Sequence, residues 1–212
     1  MQEQVLRPSV GSAEAALVAT SRAQKTTISL EVILKQYAES FASKTYGEEN
    51  DDVDVLMQVF GISPELKREN RQYWGRELGM CWQLLVARVF ELGRPSDFGP
   101  GYRSGSDELS DLMLQKTAID TKYRIGSGDA GTLKKFKQYG RTLKAKGLDP
   151  VLLILRSDNL PAAIQACQAG GWRILVGDAS FDFIKGESGF DLLAYLKGAA
   201  KKHDIKRSPT TP

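Results

Sequence analysis

Residues 110–124 read SDLMLQKTAIDTKYR, and the period of this stretch decides the fold. Apolar residues alternate in two short runs, about Leu109–Leu114 and Thr117–Ile125, with Gln115 and Lys116 between them. Such a pattern predicts a β-hairpin closed by a tight turn. On the second strand Asp120 and Lys122 are two apart, so their side chains leave the same face, and the hairpin brings Asp111 towards them from the first strand.

Reading outward from the hairpin, the period becomes helical in 127–147 (SGDAGTLKKFKQYGRTLKAKG), then apolar throughout in PVLLIL (150–155). A helix at NLPAAIQACQAG (159–170), a strand at WRILVG (172–177) and a last helix at FDLLAYLKGAAKKH (190–203) follow. Strands alternating with helices predict an α/β sheet with helices on its faces. Upstream, Ser63 and Pro64 suit the cap and first turn of a long helix running to about Leu92 and stopped at 93–95 (GRP). Its apolar stripe is Trp74, Leu78, Trp82, Leu85 and Val89, with Glu77 beside it. An amphipathic helix is expected over Ser29–Tyr46, with Ser29 as its cap. The predicted organisation is thus a helical segment over 1–62, a mixed-sheet core over 63–204 and a disordered tail over 205–212.

The composition excludes several chemistries. There are two cysteines, Cys81 and Cys167, in no CxxC pair, and one histidine, His203, in the lysine-rich tail. Zinc fingers, HxxEH metalloproteases, histidine-based nucleases and Ser-His-Asp hydrolases all need groups this chain does not carry in suitable places. The formal net charge is only +3, so a nucleic-acid partner has to be argued from local clusters. The longest aliphatic run, 151–155, is far below a membrane span, and a cytoplasmic protein with reduced thiols is expected.

Two carboxylates and an ammonium gathered on one sheet cost desolvation free energy, and a divalent cation held by the carboxylates is the simplest compensation. Mg²⁺ suits an all-oxygen site completed by phosphate oxygens. The acid-x-Lys pattern alone is weak: about one or two copies are expected by composition, and three occur, at Glu65, Asp120 and Asp204. Only Asp120 follows an apolar approach and has a strand-borne acid upstream.

In that setting SDLMLQKTAIDTKYR resembles the catalytic hairpin of PD-(D/E)xK nucleases, and most closely that of type II restriction endonucleases. The resemblance implies a restriction-endonuclease-like α/β core with a mixed central β-sheet flanked by helices. It implies that Asp111 and Asp120 bind Mg²⁺, that Lys122 assists the attacking water, and that Glu77 matches an acid carried on the preceding helix. It also implies a homodimer that cuts double-stranded DNA at specific sites, with the segment before Phe60 as candidate interface. Two departures stand: Ser110 occupies a position where proline is common, and Asp107 competes with Asp111 for the first acidic role.

Lys134 and Lys135 open a helix with further basic residues at 137, 141, 144 and 146, which beside an acidic hairpin reads as a phosphate-backbone contact. Arg103, Arg124 and Asn159 lie near expected strand ends, where they would reach base edges. The glycines of GSGDAG (126–131) also match a dinucleotide-binding loop, but the preceding strand carries Asp120, Lys122, Tyr123 and Arg124 instead of an apolar run. They read better as a turn and helix N-terminus open to a phosphate. A repair or junction nuclease with the same site is the nearest rival, separable by its preference for branched over plain plasmid DNA. A non-catalytic DNA- or nucleotide-binding protein would keep its binding after Asp120→Ala.

Overall fold

A computed structural model describes residues 10–43 and 45–205. Contacts divide the chain into two units, Met1–Lys44 and Thr45–Pro212. The boundary therefore falls at residue 44 instead of 62. Apart from Ile205, the expected disordered tail lies outside the described residues.

Among the described residues the first unit is one helix, α1 (Val10–Ser43), of 34 residues. Ser29 lies in its middle and does not cap it. Its exposed apolar residues include Leu30, Leu34, Tyr37 and Phe41, spaced four, three and four apart as on one face of a helix.

The second unit is built on a five-stranded sheet. Its strands are β2 (Phe98–Pro100), β5 (Leu112–Leu114), β6 (Thr117–Lys122), β8 (Asp149–Ile154) and β9 (Arg173–Val176), in the spatial order β2-β5-β6-β8-β9. The first three run antiparallel and the last three parallel, so the sheet is mixed, as expected. β2 forms within what the sequence presents as a glycine-rich loop. Leu114 pairs with Thr117 across the Gln115-Lys116 turn, and Gln115 takes φ +55°. Asp97 holds that left-handed residue in place: its backbone carbonyl accepts from Gln115 N and its Oδ1 from Gln115 Nε2, both at 2.8 Å.

The helices take opposite faces. On one, α4 (Arg71–Gly93) buries Leu78, Trp82, Val86 and Phe90 against Leu112, Ile119, Tyr123 and Leu153, and Trp82 Nε1 donates to the Leu153 carbonyl at 3.2 Å. The expected helix from Ser63 to Leu92 is in fact two. α3 (Pro64–Glu69) ends at Asn70, whose φ of −154° leaves the helical region and whose side chain caps α4 through Tyr73 N. α2 (Val55–Phe60), capped by Asp54, packs with α7 (Asp178–Ser188) and α8 (Leu192–Gly198) into the same core. The α2 segment, read as part of the N-terminal piece, thus belongs to the sheet domain.

On the other face lie α5 (Ala130–Ala145) and α6 (Pro161–Gly170), over Ala118, Leu152 and Ile154. They cross closely because Gly140 and Gly170 carry no side chain: a Cβ on Gly170 would lie 2.9 Å from the Lys137 backbone. β8 is buried on both faces, as expected of a central parallel strand. No described helix is long and apolar enough to cross a membrane.

Candidate active site

Leu112 pairs with Ile119 and Met113 with Ala118; at Asp111 the ladder stops, and the Asp111 N–H donates to the Ile119 carbonyl at 2.9 Å. β5 begins only at Leu112, so beyond Ile119 the edge of β6 is open and the N–H of Thr121 has no strand to bond. Asp111 takes it: its Oδ2 accepts from Thr121 N at 2.7 Å and from Thr121 Oγ1 at 2.6 Å. Gly101 makes room for this turn, since a Cβ there would collide with the Ser110 carbonyl and lie 3.0 Å from that of Asp111.

Asp120 and Lys122 leave the same face of β6, and Lys122 Nζ lies 2.6 Å from Asp120 Oδ2. The ammonium also donates to the Thr121 carbonyl at 3.0 Å, which leaves one of its three N–H groups for a further acceptor. The Asp120 side chain is 16 % exposed and that of Lys122 33 %. Burial pushes the Asp120 carboxyl up to about 6, against the pull of Lys122 and with the help of Asp111 and Glu108. Burial also works against the Lys122 ammonium, yet Asp120 and Asp111 outweigh it and hold this lysine above its ordinary value. Beneath the pair sits Cys167 of α6, fully buried, its thiol pushed up to about 12 by burial and then by Asp120. It is a wall of the site, as its packing suggested, and no nucleophile.

No group of three or more His, Cys, Asp or Glu residues suited to a metal occurs among the described residues. The pair Asp111 and Asp120 nevertheless fits a hard divalent cation on its donor chemistry. Their Oδ1 atoms take no hydrogen bond among the described residues, and one anionic pair with little solvent favours a counter-cation.

Asp111 and Asp107 are separated clearly. Asp107 stands on an exposed two-residue strand, β4 (Asp107–Glu108), paired with β3 (Arg103–Ser104), whereas Asp111 lies close enough to Asp120 to raise its carboxyl. Glu108 is the acid that sequence reasoning missed: it acts on Asp120 through space and pairs with Arg103 at 3.3 Å. Only its nearness to Asp111 in sequence could have flagged it.

Glu77 is not brought to the hairpin acids. It lies exposed on α4, the helix covering the opposite face of the sheet, and pairs with Arg76 at 2.9 Å. Glu77→Ala is accordingly expected to leave any cleavage rate within about twofold of wild type, as for a solvated ion pair; a plasmid-nicking time course measures it, and a loss of tenfold or more would return Glu77 to the site.

Two expected base readers are structural. Arg124 bonds the carbonyls of Gly47 and Glu48 at 2.7 Å each and that of Asp158 at 2.8 Å. Asn159 accepts from Ile125 N and donates to the Arg156 carbonyl. Both tie loops at the ends of β6 and β8, where carbonyls left over by the strands need donors. Around them lies a buried ionic cluster. Arg156, 4 % exposed, grips Asp158 with Nε at 2.8 Å and Nη2 at 3.0 Å, and its Nη1 reaches Asp54 at 3.0 Å. Tyr123 donates to Asp54 and accepts from Lys67 at 2.8 Å, and Lys67 pairs with Glu49. Burial and Asp54 raise the Tyr123 hydroxyl well above its ordinary range, so it stays protonated.

The glycine loop also differs from its expected form. Ser127 and Gly128 form β7, paired with β1 (Thr45–Tyr46), and the Asp129 carboxylate caps α5 through Thr132 N at 2.7 Å. With an acid at that helix N-terminus, a phosphate is not favoured there. The basic stripe is farther along: Lys134, Lys137 and Arg141 line a groove of about 530 Å³ with Gln138 and Thr142. Lys135 is exposed beside it.

Compared with protein-family models, with curated proteins and with solved structures, the chain matches none.

Proposed function

We propose that this chain is a Mg²⁺-dependent endonuclease of the PD-(D/E)xK kind, acting as a type II restriction enzyme on double-stranded DNA. The observation that carries the reading is Asp111 at the open end of a β-hairpin, close enough to Asp120 to act on its carboxyl, with Lys122 paired to Asp120 on the same face. In this reading Asp111 and Asp120 hold the cation, which supplies charge neutralisation at the scissile phosphate and a more acidic water. Lys122 spends its remaining N–H on the attacking water or on a phosphate oxygen, stabilising the negative charge that builds up in the transition state. The water oxygen would form the new bond to phosphorus and give up a proton to solvent, one bridging P–O ester bond would break, and the departing alkoxide would take up a proton from solvent. In this reading the basic groove of α5 tracks the phosphate backbone, and Arg103, exposed on its ribbon, contacts the duplex. A homodimer, with α1 as the candidate interface, supplies one site per strand.

The test is digestion of several plasmids with Mg²⁺ or with EDTA, beside Asp120→Ala, with the mass of the protein in solution measured by light scattering. Discrete fragments that require Mg²⁺ and vanish in the variant are expected, from a protein of twice the chain mass. Intact DNA under every condition, or cleavage that survives the substitution, overturns the assignment.

A further inference from the structure

The middle residue of the Asp-Thr-Lys triplet touches two of the three charged groups of the site, Asp111 and Lys122. Thr121 gives its N–H and its hydroxyl to one oxygen of Asp111, at 2.7 and 2.6 Å, and its carbonyl accepts from Lys122 Nζ at 3.0 Å. Its side chain is buried, at 5 % exposure for the residue. By strand alternation it points away from Asp120 and Lys122, and an apolar β-branched residue such as valine would suit a buried strand position equally well. A hydroxyl there costs desolvation unless it is bonded, and its bond goes to Asp111.

We propose that Thr121 is a positioning residue for metal binding: it clamps Asp111 Oδ2 with two donors and so leaves Oδ1 to a hard divalent cation shared with the neighbouring Asp120. The inference rests on the reading of Asp111 and Asp120 as metal ligands. A carboxylate on a bend outside the ladder has free χ1 and χ2 torsions, and two short hydrogen bonds to one oxygen remove that freedom before the cation arrives. Groups of this kind, which orient a ligand without touching the metal, are typically worth 10- to 100-fold in affinity.

Thr121→Val keeps shape and strand preference and removes only the hydroxyl; Thr121→Ser keeps the hydroxyl and removes the methyl. Mn²⁺ is the probe, titrated into the full chain without DNA, with the free ion read by electron paramagnetic resonance and folding checked by thermal melting. The valine variant is expected to bind Mn²⁺ about tenfold more weakly, and the serine variant within about threefold of wild type. Thr121→Ala replaces the valine variant if the latter does not fold. Wild-type affinity in the valine variant, serine as weak as valine, or no Mn²⁺ binding by the wild-type chain each overturns the proposal. Because binding is read without DNA, a wild type that binds Mn²⁺ with the expected variant order but cuts no plasmid sinks the nuclease reading and leaves the role of Thr121 standing.

Discussion

Asp120→Asn is expected to abolish Mg²⁺-dependent cleavage, by roughly 10³-fold or more, while making the metal-free protein more stable at pH 8. Loss of a metal ligand removes several kcal/mol of transition-state stabilisation, and each 1.36 kcal/mol is tenfold in rate. The gain in stability comes from the same burial. The Asp120 carboxyl is raised from 3.8 to about 6, so the folded chain binds this proton more tightly than the unfolded one. Its ionised form therefore destabilises the fold above about pH 6, and that penalty disappears as the pH falls towards 4. The shift is worth about 3 kcal/mol. Asparagine cannot ionise, but it deprives Lys122 of a partner, so a net gain of about 1–2 kcal/mol is expected at pH 8. Thermal melts of both proteins from pH 4.5 to 8 check this: the difference should grow through pH 6 and close below pH 5. Added Mg²⁺ should stabilise the wild type at pH 8 and leave the variant unmoved. A variant less stable than wild type at pH 8 would mean that the Asp120–Lys122 pair outweighs its own desolvation.

Arg156→Ala is expected to be the most damaging substitution for the fold, costing about 3–5 kcal/mol, or roughly 10 °C in Tm for a chain of this size. The guanidinium is the common partner of Asp54, Asp158 and Asn50 and also bonds the Asp52 carbonyl. Burial works against an ionised Asp158, yet Arg156 outweighs it and holds that carboxyl below its usual range. Removing the cation takes a charged partner from two mostly buried carboxylates, Asp54 and Asp158, of which Asp158 keeps Arg124 at 3.2 Å. The Asp158 carboxyl, lowered from its ordinary 3.8, contributes stability that is present above about pH 4 and lost as the pH falls below it, so the loss on substitution should be greatest above that pH and shrink below it. Chemical denaturation at pH 8 and about pH 3.5 measures the difference. A loss under 1 kcal/mol at pH 8 would show that solvent enters the cluster and screens it.

The hairpin, its turn and the shared face of Asp120 and Lys122 were legible in the sequence because they depend on short-range periodicity. Side chains alternate with a period of two, and a two-residue turn dictates the register that pairs Leu112 with Ile119 and so brings Asp111 near Asp120. The buried β8 and the helices that flank it follow in the same way from apolar runs and stop signals. The break at Asn70 is also local, but the start signal at Ser63 and Pro64, seven residues earlier, hid its capping role. What only the tertiary structure decided concerns side chains whose partners are remote in sequence. Arg124 and Asn159 carry the chemistry of base readers, yet they are spent on carbonyls and amides where β6 and β8 end. Glu77 sits on a helix that packs on the far face of the sheet, a choice made by Trp82 and Phe90 more than by Glu77 itself. Thr121 reads as an ordinary strand residue until the early end of β5 exposes its N–H to Asp111. Periodicity determines which face of an element a residue occupies; which element covers that face, and which charge it meets there, is decided only when the whole core closes.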